Sequence, residues 1–293
     1  MKETFADRLI GFVIYAVLVL ILIVVLYPLI FVASASISDP LSVARGEMWL
    51  FPTELSFVGY ERILANTEIW VGYRNTIIYT VVGTAINLVM TIMAAYPLSR
   101  KDFAGRHAIT GYIVFTMFFS GGLIPTYLLI KNLGMINSMW ALIIPGAVSV
   151  WNIIIMRTFF QTSIPYEIQE SASIDGCSNL QTLWRIVLPL SMPVIAVMIL
   201  FYSVGHWNAY FNALIYLNDR DKYPLQLFLR EILIKSEVDQ MAGSMDLSVQ
   251  NHLMETEAIK YAIVIVANLP VLVIYPFLQK YFTKGIMIGA IKG

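Results

Sequence analysis

Charge is what this sequence has least of. Lys and Arg together number 19, Asp and Glu together number 19, and charged residues make up only 13% of the 293 positions. With no basic excess, the chain has no electrostatic footprint for nucleic acid. Cysteine occurs once, at Cys177, which excludes an intrachain disulfide and leaves the redox compartment open. No metal-ligand cluster surrounds it, so Cys177 reads as a small packing residue. Motifs for chemistry are missing too. There is no Gly-x-x-x-x-Gly-Lys-Ser/Thr phosphate loop, no His-Glu-x-x-His helix and no Gly-x-Ser-x-Gly elbow. His107, His206 and His252 are scattered along the chain and are not expected to meet at one metal. The reading is of a chain that is not an enzyme and binds no cofactor itself.

What is present is apolar. Hydrophobic residues make up 58% of the sequence and the mean hydropathy is +0.73, the balance of a polytopic membrane protein. Six runs approach the roughly 20 residues needed to span a bilayer: 9–35, 76–98, 108–130, 139–156, 190–214 and 261–278. The first has Lys2 and Arg8 before it and Ala33-Ser34-Ala35 near its end. It is far longer than the roughly 7–15 residues of a signal-peptide core, so it reads as a retained span. The short loop 99–107 carries Arg100, Lys101 and Arg106, and the loop 131–138 carries only Lys131. That asymmetry puts both termini and the loop 157–188 in the cytoplasm, with segments 36–75 and 215–260 outside. The expectation is an all-α integral membrane protein with about six transmembrane helices, forming one domain over 1–293.

None of the six runs contains Asp, Glu, Lys or Arg. An ion-coupled carrier usually places an ionisable group at membrane depth, and here only His206 could titrate there. If transport is active and nucleotide-driven, the nucleotide site belongs to another subunit.

The stretch between Pro165 and Pro193 is the longest central part that would not sit in lipid. Glu167 and Glu170 favour the positive end of a first short helix, and Gly176 suits the left-handed residue that stops it. Ser178 with Gln181 fits a capping box opening a second helix, which would carry Leu180, Leu183, Trp184 and Val187 on one face. Glu170-Ser171-Ala172, then Asp175-Gly176, then Ile186-Val187-Leu188-Pro189 after nine further residues, resembles the EAA loop of ATP-binding-cassette importer permeases. Ser171 stands where that motif usually has a second Ala, and Cys177 where it often has Ala, both small-for-small departures. Over essentially its whole length the chain is similar to the smaller, maltose-type permease of carbohydrate importers. Trp207-Asn208 with Phe211 matches a pattern of their fifth span. The tail at about 282–293, with Gly289, Lys292 and Gly293, matches a C-terminal segment that in some members reaches the ATPase subunits. Ser120-Gly121-Gly122-Leu123-Ile124-Pro125-Thr126-Tyr127 and Tyr223-Pro224-Leu225-Gln226 resemble the subgroup that handles oligosaccharides and polysaccharide fragments. The shorter permease of alginate importers is a candidate within that subgroup.

The resemblance implies a type I ABC importer permease fold in a bacterial cytoplasmic (inner) membrane. It implies a second permease as heterodimer partner, two ATP-binding-cassette subunits holding ATP and Mg, an extracytoplasmic solute-binding protein and an oligosaccharide cargo. Glu170, Ser171, Ala172, Asp175, Gly176, Ile186, Leu188 and Pro189 would couple the ATPase to transport, with Ala172 permitting close approach of the partner. Two readings of the cargo path stay open. On a continuous helix Tyr202, Ser203, His206 and Tyr210 share one face and Asn208 and Asn212 nearly the opposite one. Tyr202, His206, Asn208, Tyr210 and Asn212 offer the rings, amides and hydroxyls that bind sugars. The same residues also suit hydrogen-bonding glue between helices. Gly121-Gly122 with Pro125, and Pro145-Gly146, are positions where the third and fourth runs would break, either as plain packing kinks or beside a path. Aromatics of the outer segments would serve as interfacial anchors or as a docking surface for the binding protein. The alternatives in function are an ion-coupled secondary carrier, or the same importer class with a non-sugar cargo.

Overall fold

The computed structural model describes residues 5–242, 259–273 and 276. Every regular element among them is helical, and the one pairing of β type is an isolated bridge between Ser38 and Leu55. The chain divides into two compact units, residues 1–69 with 228–269, and residues 70–227 with 270–293.

In the first unit, α1 (Phe5–Ser36) is a 32-residue helix whose most apolar 18-residue window has no buried residue. Apolar on every side and uncovered, it suits a lipid environment. Its last turn is polar and buried: Ser36 Oγ meets the Tyr60 hydroxyl at 2.9 Å, and Ser38 Oγ donates to the Ser34 carbonyl at 2.7 Å. Two short helices follow, α2 (Pro40–Ala44) and α3 (Val58–Ala65). Asp39 caps α2 by accepting from the Ser42 amide at 3.1 Å, with Pro40 at the first position, where its missing N–H costs nothing.

The second unit opens in α4 (Thr67–Ser99), which begins nine residues before the apolar run expected at 76–98. The third run is two helices, α5 (Arg106–Phe118) and α6 (Leu123–Asn132), bent by 109° at the Gly121-Gly122 break. The fourth is α7 (Trp140–Ile143) with a 3-10 turn (Ile144–Gly146), bent by 50° against α8 (Val150–Ser163). Both breaks fall where Gly and Pro place them. A helical hairpin follows: α9 (Tyr166–Ile174), then α10 (Asn179–Thr182), a π turn (Leu183–Val187) and α11 (Leu188–Leu190). An 82° bend at the fully buried Ser191 leads into α12 (Met192–Trp207), and α13 (Phe211–Tyr216) comes after it. Past a 3-10 turn (Arg220–Lys222) comes α14 (Leu225–Ala242), which belongs to the first unit from Phe228 on, and, beyond the residues not described, α15 (Ile259–Val273), which belongs to the first unit as far as Leu269. α15 covers residues 261–273 of the run expected at 261–278.

Among the described residues, two helices can each cross a bilayer by length and composition, and up to five spans result if each bent pair counts as one. The core of the second unit joins four elements. Ala95, Tyr96 and Leu98 of α4 pack with Ile153, Met156 and Phe160 of α8, with Leu183 and Val187 of the hairpin, and with Val194, Met198 and Tyr202 of α12.

Candidate functional site

The hairpin between Pro165 and Leu190 is built from its ends inward. α9 stops in a Schellman arrangement: the Gly176 amide bonds the Ser173 carbonyl at 3.1 Å and the Cys177 amide bonds the Ala172 carbonyl at 2.9 Å. Gly176 sits at φ +79°, the left-handed conformation expected of it. The capping box is also in place: the Gln181 amide donates to Ser178 Oγ and the Ser178 amide donates to Gln181 Oε1. The apolar face expected of the second limb is only half covered. Leu183 and Val187 are buried in the core, while Leu180 and Trp184 are 68% and 69% exposed. The four residues span an arc of about 100° that straddles the boundary of the core, so half of it faces out. The limb also widens to a π turn before Pro189, which lacks the N–H needed to bond the Arg185 carbonyl and crowds it with its ring.

The expected coupling residues separate by exposure. Glu170, Ser171, Asp175, Gly176 and Pro189 are exposed, and Ile186 and Leu188 are half-buried. Ala172 is 4% exposed, its small side chain already covered in this chain. Ile174, 82% exposed, joins Leu180 and Trp184 as the most exposed large apolar side chains of this hairpin, with Ile168 at 39% and Leu190 at 51%.

Beside α9 lies a cleft of about 910 Å³, lined by Arg100, Lys101 and Arg106 on one wall and by the end of α8 with Tyr166, Glu167 and Gln169 on the other. Arg100 is committed: Nε and NH2 donate to the Asp102 carboxylate at 2.8 Å each, and NH1 donates to the Tyr96 hydroxyl at 3.1 Å. Those hydrogen bonds hold the Asp102 carboxyl below the ordinary carboxylate range. Lys101 Nζ lies 4.7 Å from the centre of the Tyr166 ring, and Arg106 bonds the Arg100 carbonyl at 3.0 Å. The end of α4 is tied down around the cleft. Arg157 Nε donates to the Leu98 carbonyl at 3.0 Å, and Tyr96 donates its hydroxyl to the Asn179 carbonyl of α10 at 3.2 Å.

The expected cargo residues do not lie on one continuous helix. α12 ends at Trp207 and the chain turns before α13, so Tyr210 leaves the face expected to join it to Tyr202 and His206, and Asn212 lies in α13 rather than opposite them on α12. Tyr202 is buried, its hydroxyl 2.6 Å from Thr91 Oγ1. His206 Nε2 is 2.6 Å from Asn87 Oδ1. Asn208 is exposed, bonding its own Val204 carbonyl at 2.9 Å and Gln226 at 3.3 Å, and Tyr210 is exposed beside it. Gly289, Lys292 and Gly293 lie outside the described residues.

A second constellation had no signal in the spacing of the sequence. Asn137, at φ +59°, accepts from the amides of Asn218 and Asp219 at 3.1 Å each and donates to Asp219 Oδ2 at 2.7 Å. Lys222 Nζ closes the group on Asp219 Oδ2 at 2.8 Å and on the Asn137 carbonyl at 3.0 Å. These bonds hold the Asp219 carboxyl below its usual range, that from Lys222 contributing most. Asn75 and Tyr79 of α4 grip the same turn through the carbonyls of Asp221, Tyr223 and Lys222.

Comparison with known proteins fits this architecture. Protein LplC of Bacillus subtilis (strain 168) is 42% identical over 270 residues, 92% of this chain and 90% of that protein. The polygalacturonan/rhamnogalacturonan transport system permease protein YtcP of the same organism is 42% identical over 287 residues, 98% and 99% of the two chains. Among solved structures, a bacterial ABC transporter involved in the import of the acidic polysaccharide alginate superposes with a TM-score of 0.86 at 33% identity, covering 96% of this chain and 99% of that one. Residues 69–288 match the binding-protein-dependent transport system inner membrane component family, and the chain belongs to that family.

Proposed function

We propose that this chain is one of two permease subunits of an ATP-driven, binding-protein-dependent importer of oligo- or polysaccharide in a bacterial cytoplasmic membrane. The helices cross the bilayer six times with both termini in the cytoplasm, and the hairpin faces the ATPase subunits, which hold the ATP and Mg. The cargo class rests on the relatives named for polygalacturonan, rhamnogalacturonan and alginate transport.

The observation that carries the coupling role is the division of the hairpin's apolar side chains. Leu183 and Val187 fuse it to α4, α8 and α12, while Ile174, Leu180 and Trp184 stay uncovered on its other side. Large apolar side chains left exposed on a helical hairpin suit a protein partner. Lys101 and Arg106 across the adjacent cleft offer that partner cationic contacts. Closure of the ATPase pair would displace the hairpin, and α12 would move with it because the core joins them.

Affinity purification of the chain from membranes tests this reading. A second permease and an ATP-binding-cassette subunit are expected to accompany the native chain. The Leu180→Asp/Trp184→Asp variant is expected to insert normally and to retain the permease while losing the ATPase. Retention of the ATPase by that variant would remove the hairpin from the interface. A chain recovered alone that transports in liposomes without ATP would overturn the importer reading.

A further inference from the structure

α4 carries a polar stripe at Thr76, Thr80, Gly83/Thr84, Asn87 and Thr91, residues three or four apart on one face. Two of its members meet α12, Asn87 at His206 and Thr91 at Tyr202. Asn87 does more than pair with one neighbour. Its Nδ2 donates to the Gly146 carbonyl at 2.6 Å, in the 3-10 turn where α7 gives way to α8. A carbonyl can only accept, so the amide must turn its Oδ1 to His206, whose neutral ring then carries the proton on Nε2. Chemistry therefore sets a directed chain from His206 through Asn87 to Gly146. The fit around it is close: a Cβ at Gly83 would overlap the imidazole of His206. The Asn87 side chain is fully buried between these partners.

The position of this chain matters because of what its ends belong to. α12 follows the hairpin through the bend at Ser191 and shares its core. Gly146 belongs to the 50° break, where α8 starts afresh at Val150 and the carbonyls ahead of it lack the helical donors of a continuous span. α7, on the other side of the break, packs through Ala141 with Ile130 of α6 and Tyr216 of α13. One side chain thus stands between the helix that leaves the hairpin and the break that orients the far end of the unit.

We propose that His206, Asn87 and the Gly146 carbonyl form a joint through which α12 sets the geometry of the α7–α8 break, making His206 and Asn87 positioning residues for transport. The proposal rests on the importer reading for its transport consequence and on geometry alone for the joint itself. Without His206, the Asn87 amide is free to rotate, the Gly146 carbonyl loses its donor, and the break follows α12 less faithfully. Gly83 is the seat that keeps the imidazole in place.

The test uses the assembled complex in proteoliposomes, with Cys177→Ser and Ala147→Cys introduced so that a maleimide reports on the break. His206→Ala is expected to change the labelling rate at position 147 and to lower uptake per ATP hydrolysed, each by about three- to tenfold, the range for one hydrogen bond between membrane helices. His206→Gln, which keeps a donor near the Nε2 position, should restore both. Gly83→Ala should reproduce the loss by displacing the ring. Combined with His206→Ala it should cost nothing more, since no ring remains to collide. Unchanged labelling in His206→Ala, failure of Gln to restore it, or additive losses in the Gly83/His206 double variant would each overturn the joint. If the native complex shows no ATP-driven uptake, the importer reading fails, and the labelling data still decide the joint.

Discussion

Single residues decide whether the hairpin forms and what it shows to a partner. Gly176 closes α9 at φ +79°, where a Cβ meets no neighbouring atom, so the cost of substitution there is conformational rather than steric. A β-branched residue resists that region most, and Gly176→Val should displace the Schellman turn at a cost of about 1–3 kcal/mol. The expected outcome is a complex that still assembles in the membrane and hydrolyses ATP but loses most of its uptake, read as transport per ATP. Normal coupling in that variant would detach the turn from function. Ala172 shows why residue identity alone does not assign a role. The motif marks it as small, and in this chain its side chain is buried, unlike its exposed neighbours Ser171 and Ser173.

Elements were legible in the sequence where a local rule governs them. The capping box at Ser178 and Gln181, the stop at Gly176, and the breaks at Gly121-Gly122 and Pro145-Gly146 all follow from residue chemistry acting within a few positions, and each is where it was expected. Periodicity failed where the helix itself changes. Counting 100° per residue through Tyr202, His206 and Tyr210 assumes a helix that continues past Trp207, whereas α12 ends there. Contacts between distant elements had no signal at all, the cluster of Asn137, Asp219 and Lys222 above all. This latch ties the turn after α6 to the turn after α13, and its response to pH follows from Asp219. A carboxyl whose pKa is depressed in the folded state contributes stability above its unfolded pKa of about 3.9, and loses it as pH falls through the lower folded value. Hydrogen exchange at the Asn218 and Asp219 amides, corrected for intrinsic rates, should therefore stay flat from about pH 5 to 8 and accelerate below about pH 4. Asp219→Asn should remove that acid transition. A midpoint near neutral pH would show that another group governs the latch.

At the scale of the whole molecule the question is where the energy for transport enters. The chain has a net charge of zero, and its six apolar runs hold no Asp, Glu, Lys or Arg. Its one titratable group of the ordinary physiological range within those runs, His206, has Nε2 engaged by Asn87 and Gly83 packed against its ring. A proton- or sodium-driven carrier needs a group that binds and releases the ion as the protein changes state. Here that group would have to break its hydrogen bond to Asn87 each cycle. The hairpin has the opposite character: much of it is exposed, its turn is capped from both helices, and it is fused to the core through Leu183 and Val187. A force applied there reaches α4, α8 and α12 together, whereas an ion bound at depth would find no charge to act on. Uptake in cells expressing the complete system should accordingly fall to background when ATP is depleted with the membrane potential held, and should persist when proton and sodium gradients are collapsed with ATP held. The reverse pattern would place the energy source at His206 and leave the hairpin without a partner to answer.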